Sequence, residues 1–217
     1  MGNRAVISAS KAAEVKKAKD IGVYLHWNGG RDSVEAFLKY CELKGYRAPD
    51  QDCYGWARLC QVIGNFFGGG SSLGIDQCCN LDCDNWDNGV YIIEGWKIVD
   101  RKYFNGNEQQ SHDMSDMLMA IDKAQPEKEQ LGEDFFKAKE VPASELQIGD
   151  EVIINDFGSF EKHKVIGIGE DRMVNGSNVL GIPYIGKWNA DDPASNPNNY
   201  LKPPFGKDEL MVRKVEA

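Results

Sequence analysis

The sequence contains no run approaching the roughly 18 uninterrupted apolar residues that a membrane-spanning helix requires. Its opening, Met1-Gly2-Asn3-Arg4-Ala5-Val6, has no apolar signal-peptide core, and Val6 stands where a myristoylation signal needs Ser or Thr. These absences lead us to expect a soluble, cytoplasmic protein. Histidine is scarce, with only His26, His112 and His163, well separated. Neither H-E-x-x-H nor G-x-x-x-x-G-K-[ST] occurs, so zinc-protease and P-loop chemistry lack their usual carriers. Six cysteines are present, but no C-x-x-C pair. A structural zinc site takes paired ligands on tight turns, and Cys78, Cys79 and Cys83 would need a distant fourth. Reduced thiols, several of them buried, with no metal and no cofactor, are the expectation.

Basic residues are missing from two stretches. Between Arg58 and Lys97 there is neither Lys nor Arg, while Asp76, Asp82, Asp84, Asp87 and Glu94 fall in the gap. Between Lys102 and Lys123 the same holds, with Glu108, Asp113, Asp116 and Asp122. The first 19 residues reverse the sign, with Arg4, Lys11, Lys16, Lys17 and Lys19 against Glu14. The chain carries −9 overall, which repels a phosphate backbone and disfavours direct nucleic-acid binding. An acidic face suits a basic protein partner instead, and Asp76, Asp82, Asp84, Asp87, Glu94, Asp113 and Asp116 are the candidate contacts.

Periodicity outlines the fold. Ala5–Ile7 and Ile21–His26 read as short strands. Asn28-Gly29-Gly30 breaks the chain, Asp32 and Glu35 look like a helix-capping pair, and Val34, Phe37, Leu38 and Cys41 form one apolar stripe. Trp56, Leu59, Cys60, Ile63, Phe66 and Phe67 share the face of a second helix that Gly68-Gly69-Gly70 stops. Residues 71–89 read as a loop, and Val90–Val99 as a hairpin turning at Glu94-Gly95. Met114, Met117, Leu118 and Ile121 make a third amphipathic helix. Asp82, Asp84, Asp87 and Asn88-Gly89 evoke a calcium loop, but Trp86 occupies a ligand position and Gly95 the place of the bidentate glutamate. The five tryptophans, Trp27, Trp56, Trp86, Trp96 and Trp188, could line a partner surface, though most are expected in the core.

From Leu146 the pattern is all-β, opening with Leu146-Gln147-Ile148-Gly149-Asp150-Glu151-Val152. That turn resembles the entry to small SH3-like barrels. We therefore expect an α+β protein: residues 1–123 with a small antiparallel sheet and about three helices, a helical linker at 124–140, and a small SH3-like β-barrel over 141–217 with residues 189–206 as surface loop.

Val23 to Ser33, through Trp27-Asn28-Gly29-Gly30-Arg31-Asp32-Ser33, resembles the S-G-G-x-D-S phosphate loop of the PP-loop ATP pyrophosphatases. The resemblance implies glycines that let backbone amides approach a pyrophosphate, with Ser33 donating and Arg31 pairing with phosphate. It leaves open a nucleotide-binding enzyme, or sequestration of a small nucleotide signal in a pocket with Trp27, Asn28 and Arg31. Gly2–Ile7, Gly22–Tyr46 and Tyr54–Phe67 are similar to an uncharacterised bacterial family of prophages and mobile elements. What that resemblance implies is a context: a counter-defence inhibitor, of anti-CRISPR or anti-restriction type, whose basic partner is a nucleic-acid-processing defence enzyme. A non-enzymatic interaction protein is the leading expectation.

Overall fold

The computed structural model describes residues 2–69, 72–108, 110–156, 159–168, 172–174, 177–179, 183–185 and 211–215. The chain divides into two compact units, Met1–Gln130 and Leu131–Ala217. The boundary falls inside the segment read as a helical linker.

In the first unit the strands are β1 (Ala5–Ser8), β2 (Ile21–Leu25), β3 (Leu73–Gln77), β4 (Val90–Glu94) and β5 (Lys97–Lys102), and the helices α1 (Arg31–Leu43), α2 (Cys53–Phe66) and α3 (Met114–Lys123). The sheet order is β3-β2-β1-β4-β5. β1–β2, β2–β3 and β4–β5 run antiparallel, but β1 and β4 are parallel, Ile7 facing Tyr91. The sheet is therefore mixed, not purely antiparallel. A parallel pair needs a long crossover, and here the whole segment from Ala9 to Gly89 supplies it.

Strand alternation divides the core in two. Ala5, Ile7, Val23, Leu25, Tyr91 and Ile93 point to one face, all 1% exposed or less. The helices cover that face, burying the expected stripe of Val34, Phe37, Leu38 and Cys41 on α1, with Leu59 and Ile63 on α2. Val6, Val90 and Ile92 point to the other face. There they pack with Val15, Ala18, Cys78 and Cys83, against partly buried Tyr24, Leu81 and Tyr103. Two irregular segments, 9–20 and 78–89, thus form a third layer. Gly22 makes room for it, since a Cβ there would lie 2.8 Å from Leu81 and 3.1 Å from the Cys78 sulfur.

Two local expectations are corrected. Residues 73–77, read as loop, form the edge strand β3; its exposed Ile75 gives no inside–outside alternation to read. Asp32 is not the N-cap of α1, which is Gly30; it lies in the first turn, where its Oδ1 accepts the Ser33 amide at 2.7 Å. Its Oδ2 accepts the amide protons of Ser111 and His112, at 2.6 and 2.8 Å.

The second unit holds α4 (Glu133–Lys137) and strands β6 (Lys139–Pro142), β7 (Glu151–Asp156), β8 (Ser159–Ile168), β9 (Arg172–Val174), β10 (Ser177–Val179), β11 (Pro183–Ile185) and β12 (Met211–Lys214). Five of these form an open antiparallel sheet, β11-β8-β7-β12-β6, and β9 and β10 pair separately. Among the described residues β11 and β6 do not meet, so the SH3-like barrel is not formed: the Leu146–Val152 turn is common to many β-structures and does not close a sheet. The core comprises Val141, Ala143, Leu146, Val152, Val165 and Val212. Phe135 anchors α4, its ring 5.1 Å from Phe160 and its face 4.1 Å from the Arg213 guanidinium. The expected loop at 189–206 lies outside the described residues.

Candidate functional site

The glycine turn is built as a joint. Asn28 adopts φ +53, and the Gly29 amide donates to the Asn3 carbonyl at 2.8 Å. A Cβ on Gly29 would lie 2.6 Å from that oxygen and 2.7 Å from the Arg4 carbonyl carbon, so glycine is required by contact with the start of β1. Tyr91 donates its hydroxyl to the Gly29 carbonyl at 3.1 Å. Ser33 is 1% exposed, its Oγ reached by Asn28 Nδ2 at 3.5 Å. Arg31 bonds Glu35 at 2.7 Å and lies 3.7 Å from Glu108, and the Glu35 contact holds its guanidinium above the usual arginine range. Several groups assigned by the phosphate-loop resemblance are thus engaged within the chain. Strand β2, which feeds the turn, has antiparallel neighbours on both sides, unlike the parallel frame of that family. Trp27 stays 45% exposed, edge-on to His26 with ring centroids 5.1 Å apart.

The acidic residues fall into separate groups. Asp82, Asp84 and Asp87 share the loop before β4. Asp76 sits on the edge strand β3, Glu94 at the far end of β4, and Asp113 and Asp116 at the start of α3, where Asp113 caps the helix by accepting from the Ser115 and Asp116 amides. Several have internal cations from the basic N-terminal stretch. Arg4 Nε bonds Asp87 at 2.7 Å and its NH1 approaches Asp82 at 3.4 Å; Lys16 faces Asp84 at 4.0 Å and Lys11 faces Glu94 at 3.3 Å. The two blocks of opposite charge partly neutralise each other across the third layer. Burial pushes the Asp87 carboxyl up, but the hydrogen bonds from the Arg4 side chain and backbone outweigh it and hold the group below the usual carboxylate range.

Within this loop one residue is wholly buried. Asn85, 0% exposed, donates Nδ2 to the Asp82 and Gly89 carbonyls and accepts at Oδ1 from the Asp87 and Gly89 amides, over 3.0–3.2 Å. The next residue, Trp86, is 88% exposed and adopts φ +60. A left-handed backbone costs a bulky L-residue about 1–2 kcal/mol. The Asn85 bonds over-determine the turn and hold the indole out in water, on the loop that also carries Asp82, Asp84 and Asp87. The sequence offered Trp86 only as one of five tryptophans that could line a partner surface; a lone indole within Asp82-Cys83-Asp84-Asn85-Trp86-Asp87-Asn88-Gly89, with no other aromatic residue within four positions, is the signal that could have singled it out.

Other chemistry-bearing groups have structural partners. Tyr40 donates to Asp122 at 2.7 Å in the core, and nearby Lys44, 2% exposed, donates to the Glu129 carbonyl at 2.7 Å. Burial lowers the Lys44 ammonium below its ordinary range. Gly70-Ser71-Ser72-Leu73-Gly74 has the G-x-S-x-G spacing, but a nucleophile elbow sits between a strand and a following helix, whereas here the helix α2 ends at Phe66 and the strand β3 begins at Leu73. No hydrogen bond joins Ser72 to His26 by their side chains among the described residues; only the His26 amide meets the Ser72 carbonyl, at 2.9 Å. Among the described residues no group of three or more His, Cys, Asp or Glu is arranged for a metal ion, and no helix is long and apolar enough to cross a membrane.

No family model, curated protein or solved structure matches this chain.

Proposed function

We propose that this chain is a non-enzymatic interaction protein, and that Trp86, with Asp82, Asp84 and Asp87 around it, docks on a basic protein partner. The single observation that carries the reading is the 88% exposure of Trp86 on a strained backbone that Asn85 holds in place. Strain of this kind persists where the surroundings enforce it, and such positions cluster at ligand contacts. Burying an indole of roughly 200 Å² returns about 5 kcal/mol before binding costs, whereas each exposed ion pair contributes about 1 kcal/mol or less. Trp86 thus supplies most of the affinity. The carboxylates supply orientation, association rate and the preference for a cation, which also stacks on the indole face.

The partner class we propose is a cationic groove of the sort with which a nucleic-acid-processing defence enzyme holds phosphates. On that reading the chain is a counter-defence inhibitor of phage or mobile-element type. Calorimetry with an arginine-rich peptide tests the chemistry. Binding should weaken as NaCl rises, fall at least tenfold in Trp86→Ala, and fall less in Asp84→Asn. Equal affinity in the wild type and Trp86→Ala would overturn the assignment.

A further inference from the structure

A second surface, on a different part of the first unit, has its own logic. β3 is the edge of the five-stranded sheet and carries Leu73-Gly74-Ile75-Asp76-Gln77. Its pairing with β2 brings together residues whose numbers sum to 98, such as Tyr24 with Gly74. The bonds that flank the strand pair, His26 amide to Ser72 carbonyl and Cys78 amide to Asp20 carbonyl, are both 2.9 Å and belong to the same register. Antiparallel ladders alternate, so the even-numbered residues of β3 turn their amides and carbonyls towards β2. Leu73, Ile75 and Gln77 turn theirs outward, to the open edge. Ile75 is 55% exposed there and Ile21, on the neighbouring strand and the same face, is 42% exposed.

We infer that this edge pairs with β3 of a second copy, antiparallel about a two-fold axis through Ile75. This register alone matches all five residues of the strand with all five of its mate. It sets Ile75 against Ile75, and both of them expose the outward amide and carbonyl that a bonded antiparallel pair exchanges. Leu73 meets Gln77. Asp76, the strand's lone charge, falls opposite Gly74, which has no side chain, so no carboxylate faces another. A molecule carrying −9 would generally repel its copy, but this edge does not. Nor does it fit a basic partner, having one carboxylate among four uncharged residues.

Asp76 moderates the pairing. Its Oδ1 accepts the outward Gln77 amide at 2.6 Å and the Asn80 side chain at 3.0 Å, so that amide is withheld from the Leu73 carbonyl of the mate at both ends of the two-fold pair. Edge strands are commonly guarded by a charge in this manner.

Sedimentation equilibrium of the full chain across the micromolar range tests the inference, with hydrogen exchange as the second readout. The wild type should pass from monomer to dimer. Ile75→Lys and Ile75→Thr, at an exposed position, should keep the wild-type melting temperature and stay monomeric at concentrations where the wild type is half dimeric. Asp76→Ala should dimerise at several-fold lower concentration. On association the amides of Leu73 and Ile75 should slow, while those of Gly74 and Asp76 are already protected in the monomer. A wild type that is monomeric throughout, a dimer indifferent to both Ile75 variants, or a dimer without new protection at Leu73 and Ile75 would overturn it.

Discussion

Asn85 and Trp86 are adjacent and have opposite environments: the first is 0% exposed with four backbone hydrogen bonds, the second is 88% exposed with a left-handed backbone. The amide side chain holds its neighbour in place. Replacing Asn85 by Ala removes all four bonds and takes the acceptor from the buried Gly89 amide, whose carbonyl keeps the Val6 amide, and should cost about 2–3 kcal/mol of stability by urea unfolding. Peptide binding should fall with it although Trp86 is untouched, because the indole is no longer held.

Trp86→Gly should act in the opposite sense on stability. Glycine adopts φ +60 without a Cβ penalty, so the variant should gain about 0.5–1 kcal/mol once its extra unfolded-state freedom is subtracted. Binding of the arginine-rich peptide should be lost. A variant that is more stable and inactive would separate the strain from the fold, and a destabilised one would mean that the indole packs.

Gly29→Ala tests the glycine turn. The added methyl meets backbone atoms of Asn3 and Arg4, which cannot move without disturbing β1, and the cost should be about 2 kcal/mol or more. Since Gly29 serves β1 and Arg31 is bound to Glu35, ATP with magnesium should leave the wild-type melting temperature unchanged. A nucleotide-induced rise would restore the phosphate-loop reading.

The Arg4–Asp87 pair gives a signed pH dependence. The folded Asp87 carboxyl is held below its unfolded range, near 3.9 for a free aspartate, so its stabilisation is complete above about pH 4 and is lost as pH falls through the folded value. Asp87→Asn should be less stable than the wild type at pH 7. The gap between them should close as urea midpoints are followed from pH 5 down to pH 2. A gap that does not change with pH would mean that the pair contributes by shape and not by charge.

The thiols should separate into classes. Cys53 and Cys79 are exposed, and a thiol reagent should modify both quickly in the native protein. Cys41, Cys78 and Cys83 are buried, burial pushing the Cys83 thiol up to about 11, and they should react only on unfolding. Cys60, partly buried and likewise raised to about 11, should fall between. Rapid labelling of Cys83 in native protein would show that the 78–89 layer opens.

What was legible in the sequence was local. The stripes of α1 and α2 and the β4–β5 hairpin repeat at spacings that a short window detects, and their buried residues follow. β3 gave no such signal: Gly74 and Asp76 are disfavoured in strands, and an edge strand with an exposed isoleucine has no alternation. Arg4 and Asp87 lie 83 positions apart, so their pairing, and with it the partial neutralisation of the acidic loop, depends on the parallel contact of β1 with β4. Composition could count the carboxylates but not tell which were already matched by a lysine or arginine of the same chain. The glycine turn was visible as a turn; that it meets β1 and not a ligand is a fact of non-local packing.

The position of β1 bears on how the molecule is made. Residues 5–8 are synthesised before the other strands of their sheet, yet they occupy its middle, and their second neighbour follows more than 80 residues later. Until then a strand with three apolar residues in four has one side unsatisfied, and the loop to be closed is among the longest in the unit. Such a topology folds slowly and exposes its stickiest segment early. A nascent chain of this protein therefore depends on something else, a chaperone or its own hairpin of β1 with β2, to keep that segment occupied until Val90 arrives.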